Sequence, residues 1–221
     1  MRRTARRIVV GLALGMAGAW CAWALDLGKL RQAYLRASGG GAVERFASWN
    51  ELLSSGRRLP ATEQLDRVND FFNRQLRFVE DIDLWGQSDY WATPMETLAR
   101  GAGDCEDFAI AKYFTLVSLG VPVDRLRLTY VRARQSGPGG PSFLAHMVLA
   151  YYPEPDADPL VLDNLLGRIL PASRRPDLLP VFNFNSQRIF QAGGGERGSG
   201  QVGQLSRWQD ALRRTRNEGF D

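Results

Sequence analysis

Gly101-Ala102-Gly103-Asp104-Cys105-Glu106-Asp107-Phe108 sets one thiol among three carboxylates, directly after a glycine turn and at the head of an apolar run. Negative charge is a poor neighbour for a thiolate. The cysteine is therefore either an inert filler or part of a site in which something else balances the charge. Downstream, CEDFAIAKYFTLVSLG reads as a helix with Asp104 as N-cap, closing on Gly120 with Pro122 beyond. That helix is apolar on most sides, which predicts a central, buried position. Cys105 then falls in its first turn, where unpaired backbone N–H groups and the helix dipole favour a thiolate and can help hold an oxyanion.

Upstream, Thr93-Pro94-Met95-Glu96 supplies an N-cap, a proline at the first helical position and a capping-box glutamate for a short helix that stops at Gly101. Before it, EDIDLWGQSDYWA is an acid- and aromatic-rich loop. The first third of the chain (LDLGKLRQAYLRA, AVERFASWNELLSS, TEQLDRVNDFFNRQLRF) spaces apolar residues three and four apart, as amphipathic helices do. From Arg125 the period changes to two, and LRLTYVRAR, FLAHMVLAYY and LVLDNLL read as strands, separated by QSGPGGPS and by the turn PEPDADP. The proline-interrupted segment 168–190 is expected to wrap the sheet edge. These features predict an α+β fold, a helical amino-terminal part packed on an antiparallel sheet.

The ends read differently. MRRTARR followed by IVVGLALGMAGAWCAWA has the layout of a secretory signal peptide cleaved after Ala24. Loss of Arg2, Arg3, Arg6 and Arg7 reduces 28 basic residues to 24, equal to the 24 acidic ones, so the net charge of +4 is no argument for a nucleic-acid partner. From Gln191, QAGGGERGSGQVGQ is expected to be a flexible glycine-rich tail through residue 221, with SRWQDALRRTRNE a marginal helix on a tether. Cleavage removes Cys21 and leaves one cysteine, Cys105, and one histidine, His146. A lone cysteine forms no internal disulfide, and the pair excludes a zinc site of the usual Cys/His kind within one chain.

His146 lies inside a strand. If PEPDADP closes an antiparallel hairpin centred between Glu154 and Pro155, His146 sits directly opposite Asp163. Their Cβ atoms would then be roughly 4.5–5.5 Å apart on one face. An aspartate there can orient the imidazole toward a nucleophile, whereas a one-residue slip would part the two.

WGQSDYWATPMETLARGAGDCEDFAIAKYF, RLRLTYVRARQ, AHMVLAYYP, PLVLDNL and ILPASRRPDLLPVFNFN together resemble the LapG-type bacterial transglutaminase-like cysteine proteinases, over about Leu25 to Phe190. The resemblance implies a papain-like transglutaminase core over residues 25–190 with Cys105, His146 and Asp163 as its triad. It also implies a calcium-dependent periplasmic protease that clips the amino-terminal region of a large surface adhesin and releases biofilm cells. Its implied partner is an inner-membrane cyclic di-GMP receptor that sequesters it. By resemblance Asp104 and Glu106 are Ca²⁺ ligands; Asp89 and Asp83 join them as candidates on composition. The loop is no EF-hand, because from Asp81 the sixth position is Gly86 as required but the twelfth is Ala92. A transglutaminase or a cell-wall amidase would keep the same Cys-then-His order, and an inactive binding module would keep the fold.

Overall fold

The computed structural model of the chain describes residues 25–39, 43–137, 140–191, 196–197 and 206–220. The expected signal peptide, residues 1–24, lies outside the described residues. Among the described residues, no helix is long and apolar enough to cross a membrane.

Six helices come first: α1 (Leu27–Ser38), α2 (Glu44–Gly56), α3 (Ala61–Gln75), α4 (Asp81–Trp85), α5 (Pro94–Arg100) and α6 (Cys105–Ser118). Two short strands, β1 (Arg77–Phe78) and β2 (Ala102–Gly103), pair in parallel between them. The capping box at Thr93 and Glu96 forms as the sequence predicts, and Gly101 ends α5 in the left-handed conformation. A side chain at Gly101 would also run into the Arg45 guanidinium. Gly103 is needed for a different reason: a Cβ there would lie 2.6 Å from the Asp107 side chain. Gly103 lets the chain pass close over the start of α6.

Helix α6 is the spine of the core, buried at every residue from Asp107 to Ser118. It lies against β3 (Leu126–Gly137) and β4 (Gly140–Tyr151) through Leu126, Leu128, Met147 and Leu149. The main sheet continues with β5 (Leu160–Leu162), β6 (Leu170–Pro171), β7 (Leu178–Phe184), β8 (Ile189–Gln191) and β9 (Glu196–Arg197), in the order β6-β5-β4-β3-β7-β8-β9, with every pairing antiparallel.

Three expectations need correction. The hairpin turn is centred one residue later than expected: the Ala157 N–H donates to the Glu154 carbonyl at 3.1 Å, which puts Pro155 at the turn position its ring favours. The register is Leu149↔Leu162, displaced by two residues, so Asp163 lies diagonal to His146 rather than opposite. A shift of two keeps the face, and the pair still meets. The segment 178–184 does not wrap an edge. It is β7, an interior strand beside β3, with a bulge where Pro180, which has no N–H to give, meets Val131.

The third correction concerns the carboxyl end. The tail does not stay flexible to residue 221, because Ser206–Glu218 forms helix α7. Trp208, Ala211, Leu212 and Thr215 are buried along one face, and Phe220 is buried just beyond. Trp208 packs against Tyr113, Phe114 and Phe184 with ring centroids 5.3–6.0 Å apart. Leu25 bridges to Phe220, so the two ends of the described chain meet. Arg214 reaches α5 and the acid-rich loop before it, donating to Glu96 Oε2 at 2.5 Å and to the Trp91 carbonyl at 2.6 Å.

Candidate active site

Cys105 is the first residue of α6, half-buried, on a cavity of about 270 Å³ that His146 also lines. Asp104, Glu106, Asp89, Trp91, Tyr130 and Leu144 complete much of its wall. Strand β5 ends at Leu162, which leaves the edge of β4 open beyond Leu149. There the backbone N–H of Met147 hydrogen-bonds to the Cys105 sulfur, a contact that favours the thiolate. Burial and the neighbouring acids oppose it. Burial, and then Glu106 and Asp104, push the thiol pKa far up. Its Sγ donates to Glu106 Oε2 at 3.1 Å.

His146 is 2% exposed and its Nε2 lies 2.8 Å from Asp163 Oδ1. The carboxylate is held from several sides. Arg175 Nη2 donates to its other oxygen at 2.8 Å, the Leu165 N–H donates to Oδ1 at 3.0 Å, and Asn73 Nδ2 holds the Asp163 carbonyl at 2.8 Å. Burial alone would raise the Asp163 pKa, but His146, Leu165 and Arg175 outweigh it and bring it down to about 2. Arg175 is buried, and Asp177 accepts from its Nε and Nη2. Sequence reasoning missed Arg175, since nothing in its local pattern separates it from Arg174.

Beside Cys105 the acids converge. Carboxylate oxygens of Asp81, Asp104 and Asp107 lie within 4.8 Å of one another, as do those of Asp81, Asp89 and Glu106. Asp104 occupies the N-cap position of α6 as predicted, yet its side chain makes no capping bond. One buried oxygen each of Asp81, Asp104 and Asp107 has no hydrogen-bond partner among the described residues. Burial and the repulsion of nearby carboxylates push the Asp81 carboxyl up to about 6 and Asp104 up to about 10, and hold Asp107 well above the usual carboxylate range. Tyr90 and Ala92 aim their N–H groups at Asp81 and Asp107, fixing the loop around the cluster. An oxygen-only set with orphaned carboxylate oxygens fits a hard cation such as Ca²⁺.

Of the residues named from sequence, Cys105, His146, Asp163, Asp104, Glu106 and Asp89 are brought to this region. Asp83 is not. It sits exposed on α4, two residues from Asp81, and residues two apart on a helix face nearly opposite ways. Asp81 holds the inward position, and Asp107, one turn into the buried helix, is the other acid that sequence reasoning left out. The signal for Asp107 was an acid in the first turn of a helix that is apolar on most sides.

The sequence profile described as bacterial transglutaminase-like cysteine proteinase (BTLCP) matches residues 54–176. The structure of Legionella pneumophila LapG is 39% identical in sequence, covering 88% of this chain and 99% of that one, with a TM-score of 0.71. The chain belongs to the bacterial transglutaminase-like cysteine proteinase family. Its α+β architecture is the transglutaminase-like fold of that relative. An EGTA-treated form of Legionella pneumophila LapG matches at 38% identity over 88% of this chain and all of that one, TM-score 0.71. A calcium-bound form matches at 40% over 84% and 98%, TM-score 0.67. No curated protein sequence matches the chain.

Proposed function

We propose that the chain is a calcium-dependent cysteine endopeptidase of the periplasm that cleaves the amino-terminal region of a large surface adhesin and so releases biofilm cells. An inner-membrane cyclic di-GMP receptor sequesters it when adhesion is to be kept. The observation that carries the reading is the meeting of Cys105 and the His146–Asp163 pair on one cavity. Asp163 occupies Nε2 of His146, which leaves Nδ1 as the nitrogen that takes the thiol proton. The thiolate attacks the scissile carbonyl, and the backbone N–H groups at the start of α6 favour the charge that develops on its oxygen. His146 then returns the proton to the leaving amine, and water hydrolyses the thioester with His146 again as base. Arg175 and the Leu165 N–H keep Asp163 ionised, so it stabilises the imidazolium without taking the proton.

Asp81, Asp104, Glu106, Asp107 and Asp89 would hold the calcium ion. Bound there, it supplies positive charge that offsets the acid field on the thiol and orders the loop. The calcium-bound form of the Legionella relative supports this part of the reading. The basic-then-apolar leader supports export.

The test is incubation with an adhesin amino-terminal fragment, with peptidoglycan and an amine-acceptor substrate in parallel. The fragment should be cut, EGTA should stop the cutting, and Cys105→Ala should be inactive with an unchanged near-UV circular dichroism spectrum. Turnover by pure Cys105→Ala would remove the nucleophile assignment. Turnover of peptidoglycan or amine transfer in place of fragment cleavage would remove the adhesin assignment.

A further inference from the structure

A second cavity, of about 320 Å³, opens on the face of the sheet away from α6. Its floor is a small apolar cluster of Val131, Val148 and Val161, separate from the main core. Arg127 lies on its wall. Leu126 and Leu128 on either side of it face the core, so strand alternation turns Arg127 outward. It is nonetheless only 7% exposed. Its guanidinium sits between the rings of Tyr152, at 3.9 Å, and Phe190, at 4.1 Å. Among the described residues no carboxylate pairs with it, and its buried Nε has no hydrogen-bond partner. Two more polar atoms of this wall are buried and unpartnered: Nη1 of Arg175, which is 5% exposed, and Oδ1 of Asn183, which is 6% exposed.

A buried guanidinium without a counter-charge is unfavourable, and rings can neutralise it only in part. The two rings hold the guanidinium in place within about 4 Å, and its N–H groups are left for a planar acceptor. Carboxylate is the group that matches that edge. The valine floor calls for hydrocarbon beside it, and the volume is at the small end for ligand pockets. We propose that this cavity binds a carboxylate carried on an apolar body, such as an aliphatic or aromatic acid or the free end of a peptide closing on an apolar residue. The carboxylate lies along the Arg127 edge and the apolar body on Val131, Val148 and Val161. Asp156 on the exposed rim is the acid that opposes such a ligand.

The experiment is calorimetric or ligand-observed NMR titration of the Cys105→Ala protein, so that its outcome is independent of any proteolysis. The probes are hexanoate, 4-phenylbutyrate and N-acetyl-Ala-Leu with a free carboxylate. Hexanamide, N-acetyl-Ala-Leu-amide and inorganic phosphate serve as controls. The carboxylates should saturate one site and the amides should bind at least about tenfold more weakly, the loss of a charge-assisted pair. The tighter of free acid and peptide end names the source. Arg127→Gln should weaken carboxylate binding roughly ten- to a hundredfold. Asp156→Asn, at the rim where folding is not at stake, should strengthen it roughly two- to fivefold at low salt, an effect that salt abolishes. Amides binding as well as acids, phosphate binding as well as any carboxylate, or no carboxylate bound by about 10 mM would each overturn the proposal. So would binding unchanged in both variants.

Discussion

Removing calcium should cost the folded chain several degrees of melting temperature, and Asp81 rather than Asp83 should decide how many. Without a cation, three buried carboxylate oxygens, one each on Asp81, Asp104 and Asp107, have no partner. Each such group destabilises the fold by about 1–3 kcal/mol. A cation bound only by the folded state at about a hundredfold over its dissociation constant contributes about 2.7 kcal/mol. For a chain of 221 residues, at roughly 2–4 °C per kcal/mol, that is a shift of about 5–11 °C. Scanning calorimetry in calcium against EGTA reads it directly. Asp81→Asn keeps an oxygen for the Tyr90 N–H but removes a charge shared by two of the acid groups, so its calcium shift should fall below about 2 °C. Its apo form should melt no lower than the parent, because repulsion is relieved. Asp83→Asn should behave as the parent, and Mg²⁺, which holds its waters tightly, should give a smaller shift. No shift with calcium, or a shift lost in Asp83→Asn and kept in Asp81→Asn, refutes the assignment of the cluster.

Arg175→Met leaves Asp163 and Asp177 without their shared guanidinium; loss of one partner of a buried pair should destabilise by about 3–5 kcal/mol in urea unfolding and lower kcat. The Asp163 carboxyl, held at about 2 against an ordinary 3.8, contributes about 2 kcal/mol above pH 4 that fades as the pH falls toward 2. Asp163→Asn should lack that part of the acid slope, and identical slopes for parent and variant between pH 2 and 5 would contradict it. Trp208→Ala should cost about 3–5 kcal/mol and roughly 6–20 °C in melting temperature; a tail on a tether would show no change.

How much of this was legible depends on the range of the forces involved. The capping box at Thr93 and Glu96, the stop at Gly101 and the burial of α6 are set by residues within a turn or two, and the sequence shows them. The face shared by His146 and Asp163 survived a wrong register because parity is all that strand alternation requires. What failed depended on distant partners. Trp208, Ala211, Leu212 and Thr215 form a stripe too short to predict burial until Tyr113 and Phe184 are known to meet it. Arg175 acquires its role only when the chain folds back on Asp163. Asp81 and Asp83 are alike in composition, and only the orientation of α4 separates them.

The thiol of Cys105 stands between two opposed fields, and the structure shows where each comes from. Burial holds the proton on sulfur, and Glu106 and Asp104, neighbours in sequence that cannot be moved away from it, add to that. The helix terminus and the Met147 N–H work the other way, but both are dipoles, and a dipole does not outweigh full charges at the same range in a buried site. On the other side Asp163 faces His146 and is itself tied to Arg175, so the fixed charges there are matched among themselves and none is left to set against Glu106 and Asp104. The balance must therefore be struck on the acid side of the sulfur. The orphaned oxygens of Asp81, Asp104 and Asp107 lie there, where the start of α4 meets the start of α6 that carries the thiol. A cation at that cluster changes the fold and the thiol together. The loss of stability and the loss of thiol reactivity on chelation should consequently follow one binding curve, read by calorimetry and by the rate of labelling with a thiol-directed electrophile at neutral pH. Two separate midpoints would mean that the acids serve the fold alone.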